Sequence, residues 1–110
     1  MDNLLVEIKQ ILDKRQAEDI VILDFRKSSP FIDYFMIGTV RNFRMAKAII
    51  EELEDFADEH NLKIISVDKR SDSKWLLIDL NQVVVHIFYD GEREKYNLEG
   101  LWKDLEVLKM

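Results

Sequence analysis

Hydrophobic residues recur every three or four positions in two stretches of the chain, and this is the spacing of one face of an α-helix. The first stretch covers residues 2–14, and its leucines and isoleucines form one stripe. The second covers residues 42–60, and the glutamates and aspartates on its other side indicate a solvated face. Asn61 is placed to end this helix. The pattern therefore predicts two amphipathic helices.

Short runs rich in β-branched and aromatic residues predict strands. Three such runs cover residues 20–25, 33–39 and 62–67, and two more begin at Trp75 and Val83. Polar connectors at residues 15–19 and 26–30 separate the first elements, and the second connector holds the single proline. Asn81 and Gln82 join the last two runs, which predicts a tight β-hairpin.

The order of these elements predicts an α/β fold. The strand–helix–strand passage through residues 33–67 should be a right-handed crossover between parallel strands, and the hairpin makes the sheet mixed. Residues 92–108 are polar at first and then helical in pattern, with leucines at spacings of three and four. We therefore expect a single mixed β-sheet of about five strands packed with helices, in one domain that covers residues 1–110.

The hairpin combines apolar runs with a few polar side chains. At a period of two, Trp75 and Asp79 share one face of its first strand, and His86 and Phe88 share one face of its second. This pattern has two interpretations. It is typical of a selectively polar protein-binding face, and equally of a core that contains one satisfied polar pair.

Composition narrows the possible partners. The 110 residues carry a formal net charge of −6, and 47% of them are hydrophobic, which suits one folded domain. A negative chain is poorly suited to broad nucleic-acid binding through phosphates, although a local basic patch remains possible. Basic residues cluster at positions 41–47 and 69–74. They are either solvated charges or a basic rim beside Trp75.

The chain contains no cysteine, which excludes disulfides, thiolate chemistry and cysteine-ligated zinc. No apolar run approaches the roughly 20 residues that span a membrane. The first three residues are acidic rather than basic, unlike the start of a secretory signal peptide. We therefore expect a cytoplasmic protein that does not enter a membrane.

Catalytic motifs are missing from the sequence. The three glycines form no phosphate-binding loop, and the two histidines, His60 and His86, are far apart. The D-x-D pair and preceding Gly-Ser turn of a nucleotidyl transfer site are absent. Ser28 and Ser29 lie in turn sequence rather than in a G-x-S-x-G motif. We expect no enzyme activity, metal or cofactor.

Several blocks resemble the ribosomal silencing factor family, whose members are also called Iojap-like proteins. The blocks run from about residue 17 to residue 102. They read A-E-D-I-V-I-L-D, S-S-P-F-I-D-Y-F-M-I, R-M-A-K-A-I, W-L-L-I-D-L, V-V-V-H-I-F and R-E-K-Y-N-L-E-G-L-W. Their order, more than any single block, carries the resemblance.

The resemblance implies a nucleotidyltransferase-like topology without its catalytic motifs. It also implies binding to the large ribosomal subunit through large-subunit ribosomal protein fourteen, which sterically blocks small-subunit joining and represses translation when nutrients are scarce. Family members are commonly homodimers, and no direct specific nucleic-acid binding is expected. Two alternatives remain: a large-subunit assembly factor, as for organellar relatives, and a degenerate nucleotidyltransferase-type nucleotide-binding enzyme.

The resemblance further implies that the hairpin forms the partner-binding face. Trp75 would be its aromatic anchor, and Asp79 and His86 would select a polar partner group. The remaining candidates for partner contact are Leu80, Phe88, Tyr34 and Arg44.

Overall fold

One open, mixed β-sheet organises the chain in the computed structural model, which describes residues 3–70 and 72–108. In chain order the elements of these ranges are α1 (Asn3–Lys14), β1 (Glu18–Asp24), β2 (Tyr34–Thr39), α2 (Phe43–Glu59), β3 (Ser66–Asp68), β4 (Trp75–Asp79), β5 (Val83–Phe88), α3 (Glu92–Tyr96), α4 (Leu98–Leu101) and β6 (Glu106–Leu108). The strand order is β3-β4-β5-β2-β1-β6. The predicted α/β fold with one mixed sheet is confirmed, with six strands.

The pairing of β2 with β5 is parallel, and every other strand pair in the described ranges is antiparallel. It follows that β2 and β3 run in the same direction, as the predicted crossover requires. They are not neighbours, however, because β5 and β4 lie between them. The crossover through α2 therefore carries the chain from the middle of the sheet to its edge.

The ends of α2 follow from its flanking residues. Asn42 is the N-cap, and its side-chain oxygen accepts a hydrogen bond from the Met45 backbone N–H at 3.0 Å. His60 is the C-cap, and Asn61 adopts the left-handed conformation with φ +55°. The predicted helix at residues 42–60 therefore differs from α2 only by its two caps.

Both long helices pack on the same face of the sheet. Alternate residues of the strands meet them in the main core, which includes Leu5, Ile8, Leu12, Met36, Ile49, Ile50, Leu53, Leu76, Ile78, Val85 and Ile87. No helix in the described ranges combines the length and apolar character that crossing a membrane requires. The opposite face of the sheet lacks these helices and is left to the C-terminal part of the chain.

The hairpin turn forms as predicted. The Leu80 backbone N–H donates to the Val83 carbonyl at 2.9 Å, so Asn81 and Gln82 occupy the tip. Asn81 has φ +76°, a conformation that asparagine tolerates better than most residues.

Three predicted segments need correction. The helical pattern at residues 92–108 forms only two short helices and then β6, which pairs with the edge strand β1. The strand predicted at residues 62–67 shrinks to Ser66–Asp68, because Leu62 and Ile64 pack against the core from an irregular segment. β1 begins at Glu18, inside the predicted connector. The predicted start of the first helix at Asp2 lies outside the described residues.

Candidate protein-binding face

Ring side chains form a continuous line across the face of the sheet opposite α1 and α2. Three neighbouring strands, β4, β5 and β2, each place one ring of this line there, because alternate residues of a strand point to the same face, and Phe25 directly after β1 adds another. The ring centroids follow one another at 4.7 Å (Tyr96 to Trp75), 5.8 Å (Trp75 to His86), 4.5 Å (His86 to Phe35), 4.5 Å (Phe35 to Phe25) and 5.1 Å (Phe25 to Trp102). We call these six residues the aromatic row.

The two ends of the aromatic row come from the C-terminal part of the chain, residues 92–105, which we call the strap. Its first helix supplies Tyr96, and Trp102 follows its second helix and meets Phe25 edge-on. Leu98 lies between these two rings in sequence and Leu105 follows them, and both leucines pack on the apolar surface of the sheet. The strap therefore covers the middle of the row and leaves its ends exposed.

A buried arginine holds the strap on the sheet. Arg93 is 8% exposed, and its guanidinium donates to both carboxylate oxygens of Glu99 at 2.9 and 3.2 Å. Its third nitrogen donates to the Thr39 hydroxyl at 2.8 Å, which joins the strap to β2. Bidentate, charge-assisted bonds of this kind are among the stronger protein hydrogen bonds. No motif in the sequence pointed to Arg93, because its partners lie at no regular spacing from it.

Trp75 and His86 form a polar pair within the row. The Trp75 indole Nε1–H donates to His86 Nδ1 at 3.1 Å, so the neutral imidazole carries its proton on Nε2. Burial lowers the pKa of His86 to about 4, because the charged imidazolium is disfavoured away from water. Its Nε2 has no hydrogen-bond partner among the described residues. His86 is therefore a neutral acceptor that fixes the orientation of the indole.

The arrangement bears out part of the core interpretation of the hairpin. A buried polar pair exists, but it joins Trp75 to His86 and leaves Asp79 outside. The Asp79 carboxylate instead accepts from the Asn81 backbone N–H at 2.9 Å and supports the hairpin turn. Asp79 remains partly exposed on the face that carries Trp75.

Of the other candidate contact residues, only Phe88 lies on this face, and it is buried there. Leu80 and Tyr34 are 2% and 5% exposed and belong to the core under the helices. Phe88 is fully buried and stacks beneath Trp75, with ring centroids 5.1 Å apart. Burial leaves these three side chains without surface for direct partner contact. Arg44 is exposed on α2, on the opposite side of the sheet from Trp75.

The basic rim that the sequence allowed beside Trp75 does not form. Lys69 pairs with Glu54 at 2.8 Å, on the helix side, and Lys74 pairs with Asp90 at 2.8 Å. Arg70 pairs with Asp68 in its own segment. The cluster at residues 41–47 lies at the start of α2. Residues 92–106, which supply both ends of the aromatic row, contain five carboxylates and three basic residues, a net charge of −2.

Exposed apolar side chains mark the surface above the row. Tyr96, Leu101 and Trp102 are 50%, 69% and 36% exposed, and Trp75 is partly exposed beside Tyr96. We call these four residues the aromatic face. In the residues that the structure describes, no group of three or more His, Cys, Asp or Glu side chains is arranged to hold a metal ion. Aromatic surface of this kind is typical of protein contacts.

A mixed sheet with two helices on one side and an exposed aromatic face on the other defines an α/β domain suited to binding another macromolecule. The model of one protein family, described as "RsfS: Ribosomal silencing factor during starvation", matches residues 1–110. The chain therefore belongs to the ribosomal silencing factor family, as its sequence blocks predicted.

Bacterial relatives agree with this assignment. The chain is 40% identical over 92 residues to the ribosomal silencing factor RsfS of Bacillus subtilis, which covers 84% of this chain and 78% of the relative. A crystal structure of a protein from Bacillus halodurans superposes with a TM-score of 0.83 at 32% identity, and covers 99% of this chain and all of the other. The whole fold is thus shared with a solved structure.

Organellar relatives carry other names. The chain is 32% identical over 105 residues to the chloroplastic protein Iojap of maize, and spans 46% of that protein. It is 25% identical over 95 residues to the mouse protein named "Mitochondrial assembly of ribosomal large subunit protein 1", and spans 42% of it. The relatives therefore include proteins named for silencing and a protein named for assembly.

Proposed function

We propose that this protein is a ribosomal silencing factor that binds the large ribosomal subunit through large-subunit ribosomal protein fourteen and blocks small-subunit joining. The observation that carries the proposal is the family match over residues 1–110. The protein acts by occupying a surface, so its activity needs affinity and bulk rather than a chemical step. In line with the family resemblance, the proposal includes a cytoplasmic homodimer without enzyme activity.

The aromatic face is the proposed contact surface. Tryptophan and tyrosine are the residue types that most often dominate binding energy at interfaces. The formal net charge of −6 favours a basic partner, and many ribosomal proteins are basic. In this arrangement Trp75 touches the partner directly, and His86 acts through Trp75 by holding its indole. Asp79 lies on the same face and offers a carboxylate to the partner.

Co-sedimentation with separated ribosomal subunits tests the proposal. We expect the wild-type protein to pellet with the large subunit alone, and Trp75→Ala to lose at least about tenfold in affinity. Ile65→Ala is a matched control, because Ile65 is 49% exposed on the segment before β3 and lies outside the aromatic face. Thermal melting by circular dichroism checks that each variant is folded.

The outcomes separate the parts of the proposal. Failure of the wild-type protein to bind large subunits would contradict the function, whereas unchanged binding by folded Trp75→Ala would contradict the contact surface. In the first case the enzyme alternative becomes testable by thermal melting, because a nucleotide that binds with magnesium raises the melting temperature. Binding by the isolated ribosomal protein fourteen, measured in the same variants, identifies the partner.

A role in large-subunit assembly is the second candidate, because one relative is named for it. Sedimentation profiles of cells that lack the protein distinguish the two roles. Loss of an assembly factor leaves precursor particles of the large subunit. Loss of a silencing factor leaves mature subunits that join under conditions in which they are normally kept apart.

A further inference from the structure

Most of the lysine and arginine side chains of this acidic protein form ion pairs with carboxylates, but one cluster of them does not. Most lysines and arginines in residues 3–70 and 72–108 have a carboxylate within ion-pair distance, including Lys9, Lys14, Arg15, Arg26, Lys69, Arg70, Lys74, Arg93 and Lys95. Arg41, Arg44 and Lys47 have no ion-pair partner within these described ranges, although they lie close together in sequence. Lys27, Lys63 and Lys103 also have no ion pair within these ranges, but they lie apart in sequence, whereas Arg41, Arg44 and Lys47 form a cluster.

Arg44 borders a groove between the end of α1 and the first half of α2. The groove has a volume of about 590 Å³, and Lys14, Arg15 and Arg44 line it. A second concavity on α2 is lined by Arg44 and Lys47 together with Phe43, Ala48 and the carboxylate of Glu51. We call the surface formed by Lys14, Arg15, Arg44 and Lys47 the basic groove.

One carboxylate only partly neutralises the groove. Glu52 accepts from Lys14 Nζ at 2.6 Å and from Arg15 Nε at 2.7 Å, so two cations share one negative charge. The hydrogen bond from Lys14, assisted by that from Arg15, lowers the pKa of Glu52 despite its partial burial. Arg44 and Lys47 add two positive charges at helical spacing, with side chains about 5–6 Å apart on one face of α2.

We propose that the basic groove binds the phosphodiester backbone of a structured RNA. Arginine and lysine side chains on one helix face suit a row of phosphates, whose neutralisation releases counterions. A membrane surface is a poorer match, because the apolar side of α2 is buried in the core and is not free to enter lipid. The choice of RNA rests on the proposed function, since a ribosomal subunit presents RNA beside its proteins.

The groove and the aromatic face lie on opposite sides of the sheet. α2 covers the face that carries Ile78 and Val85, whereas Trp75 and Phe88 belong to the other face. One molecule can therefore contact a protein through the aromatic face and RNA through the groove. The contact reads backbone and not bases, so it is consistent with the expectation of no sequence-specific nucleic-acid binding.

Fluorescence anisotropy with a labelled RNA duplex of about 16 base pairs tests the inference. We expect binding by the full chain at low salt, with log K falling as log salt rises at a slope of roughly −3. Arg44→Ala with Lys47→Ala should weaken binding by at least about tenfold and reduce the slope by about two. Lys63→Ala with Lys103→Ala is the matched control, because both lysines are exposed and lie outside the groove. This control variant should change neither the RNA affinity nor the salt slope by more than about twofold.

Trp75→Ala should retain RNA binding, which separates this inference from the proposed function. Absence of RNA binding at low salt would overturn the inference, as would equal losses in the groove variant and the control. Tighter binding to vesicles that contain phosphatidylserine than to RNA would assign the groove to an anionic membrane and would also overturn it. Retained duplex binding in Trp75→Ala, lost in the groove variant, would support the inference whatever the subunit assay shows.

Discussion

His86 makes the stability of the fold depend on pH. Its pKa is about 4 in the folded protein, below the ordinary value of 6.5, because burial disfavours the imidazolium. The unfolded chain therefore binds a proton below pH 6.5 that the folded chain does not bind until about pH 4. The free energy of unfolding should be fully present above pH 6.5 and should fall by about 3 kcal/mol as the pH drops to 4. Urea unfolding at a series of pH values measures this loss.

His86→Gln is the control for this pH dependence, because glutamine keeps an acceptor for the indole but does not titrate. In His86→Gln the loss between pH 6.5 and 4 should largely disappear. The carboxylates of Asp24 and Asp68 contribute at lower pH, since hydrogen bonds from Arg26 and Arg70 lower the pKa of each. An equal loss in wild type and His86→Gln would show that another group is responsible.

The hydrogen bond between Trp75 and His86 should contribute measurably to stability. Trp75→Phe keeps an aromatic ring but leaves His86 Nδ1 as a buried acceptor without a donor, which costs about 1–3 kcal/mol. Trp102→Phe makes the same substitution at one end of the aromatic row, where the structure places an edge-on ring contact with Phe25. Chemical denaturation should find Trp75→Phe the more destabilised of the two. The reverse order would mean that ring packing outweighs the hydrogen bond.

Among the elements, those with local signals could be predicted from the sequence. The apolar stripe and the polar caps defined α2, and Asn81 defined the hairpin turn. The strand at Glu106–Leu108 could not be predicted, because its leucine spacing also fits a helix and its pairing partner is the distant β1. In residues 106–108, pairing with the distant β1 thus outweighed the local helical periodicity.

The candidate site shows the same division between local and non-local information. Alternation placed Trp75 and His86 on faces of the hairpin, but it could not show that they bond to each other or that Phe35 lies beside them. It also could not show that Leu80 faces the helices and is buried. Arg93 was missed because its bond to Thr39 crosses 54 positions of sequence. Tertiary contacts, which no short pattern encodes, therefore assembled the aromatic row.

Arg93 is expected to hold the strap on the sheet. Arg93→Ala removes three charge-assisted hydrogen bonds and leaves Glu99 and Thr39 without that partner. We expect a destabilisation of about 2 kcal/mol and faster amide hydrogen exchange in residues 92–105 than in α2. Lys95→Ala lies in the same short helix, but the Lys95 side chain is 74% exposed, so its change should stay within about 0.5 kcal/mol. Unchanged exchange in the strap of Arg93→Ala would show that apolar contacts alone hold it.

For the whole molecule, the sheet separates two surfaces of different chemistry. The side opposite α1 and α2 carries the aromatic face, and the side covered by these two helices carries the basic groove beside the acidic side chains of α2. A protein built in this way can approach a ribosomal subunit with one side toward protein and the other toward RNA.

If the aromatic face and the basic groove both contact the large subunit, their contributions to the binding free energy should add. Trp75 and the pair Arg44 and Lys47 share no contact and lie on opposite sides of the sheet, so their effects on binding free energy should be independent. We expect the losses of Trp75→Ala and of Arg44→Ala with Lys47→Ala to sum in the triple variant within about 0.5 kcal/mol. Titration of labelled protein with purified large subunits at fixed salt measures all four affinities. A triple variant no weaker than the weaker of its two parents would mean that both substitutions disable one contact, and that a single surface engages the subunit.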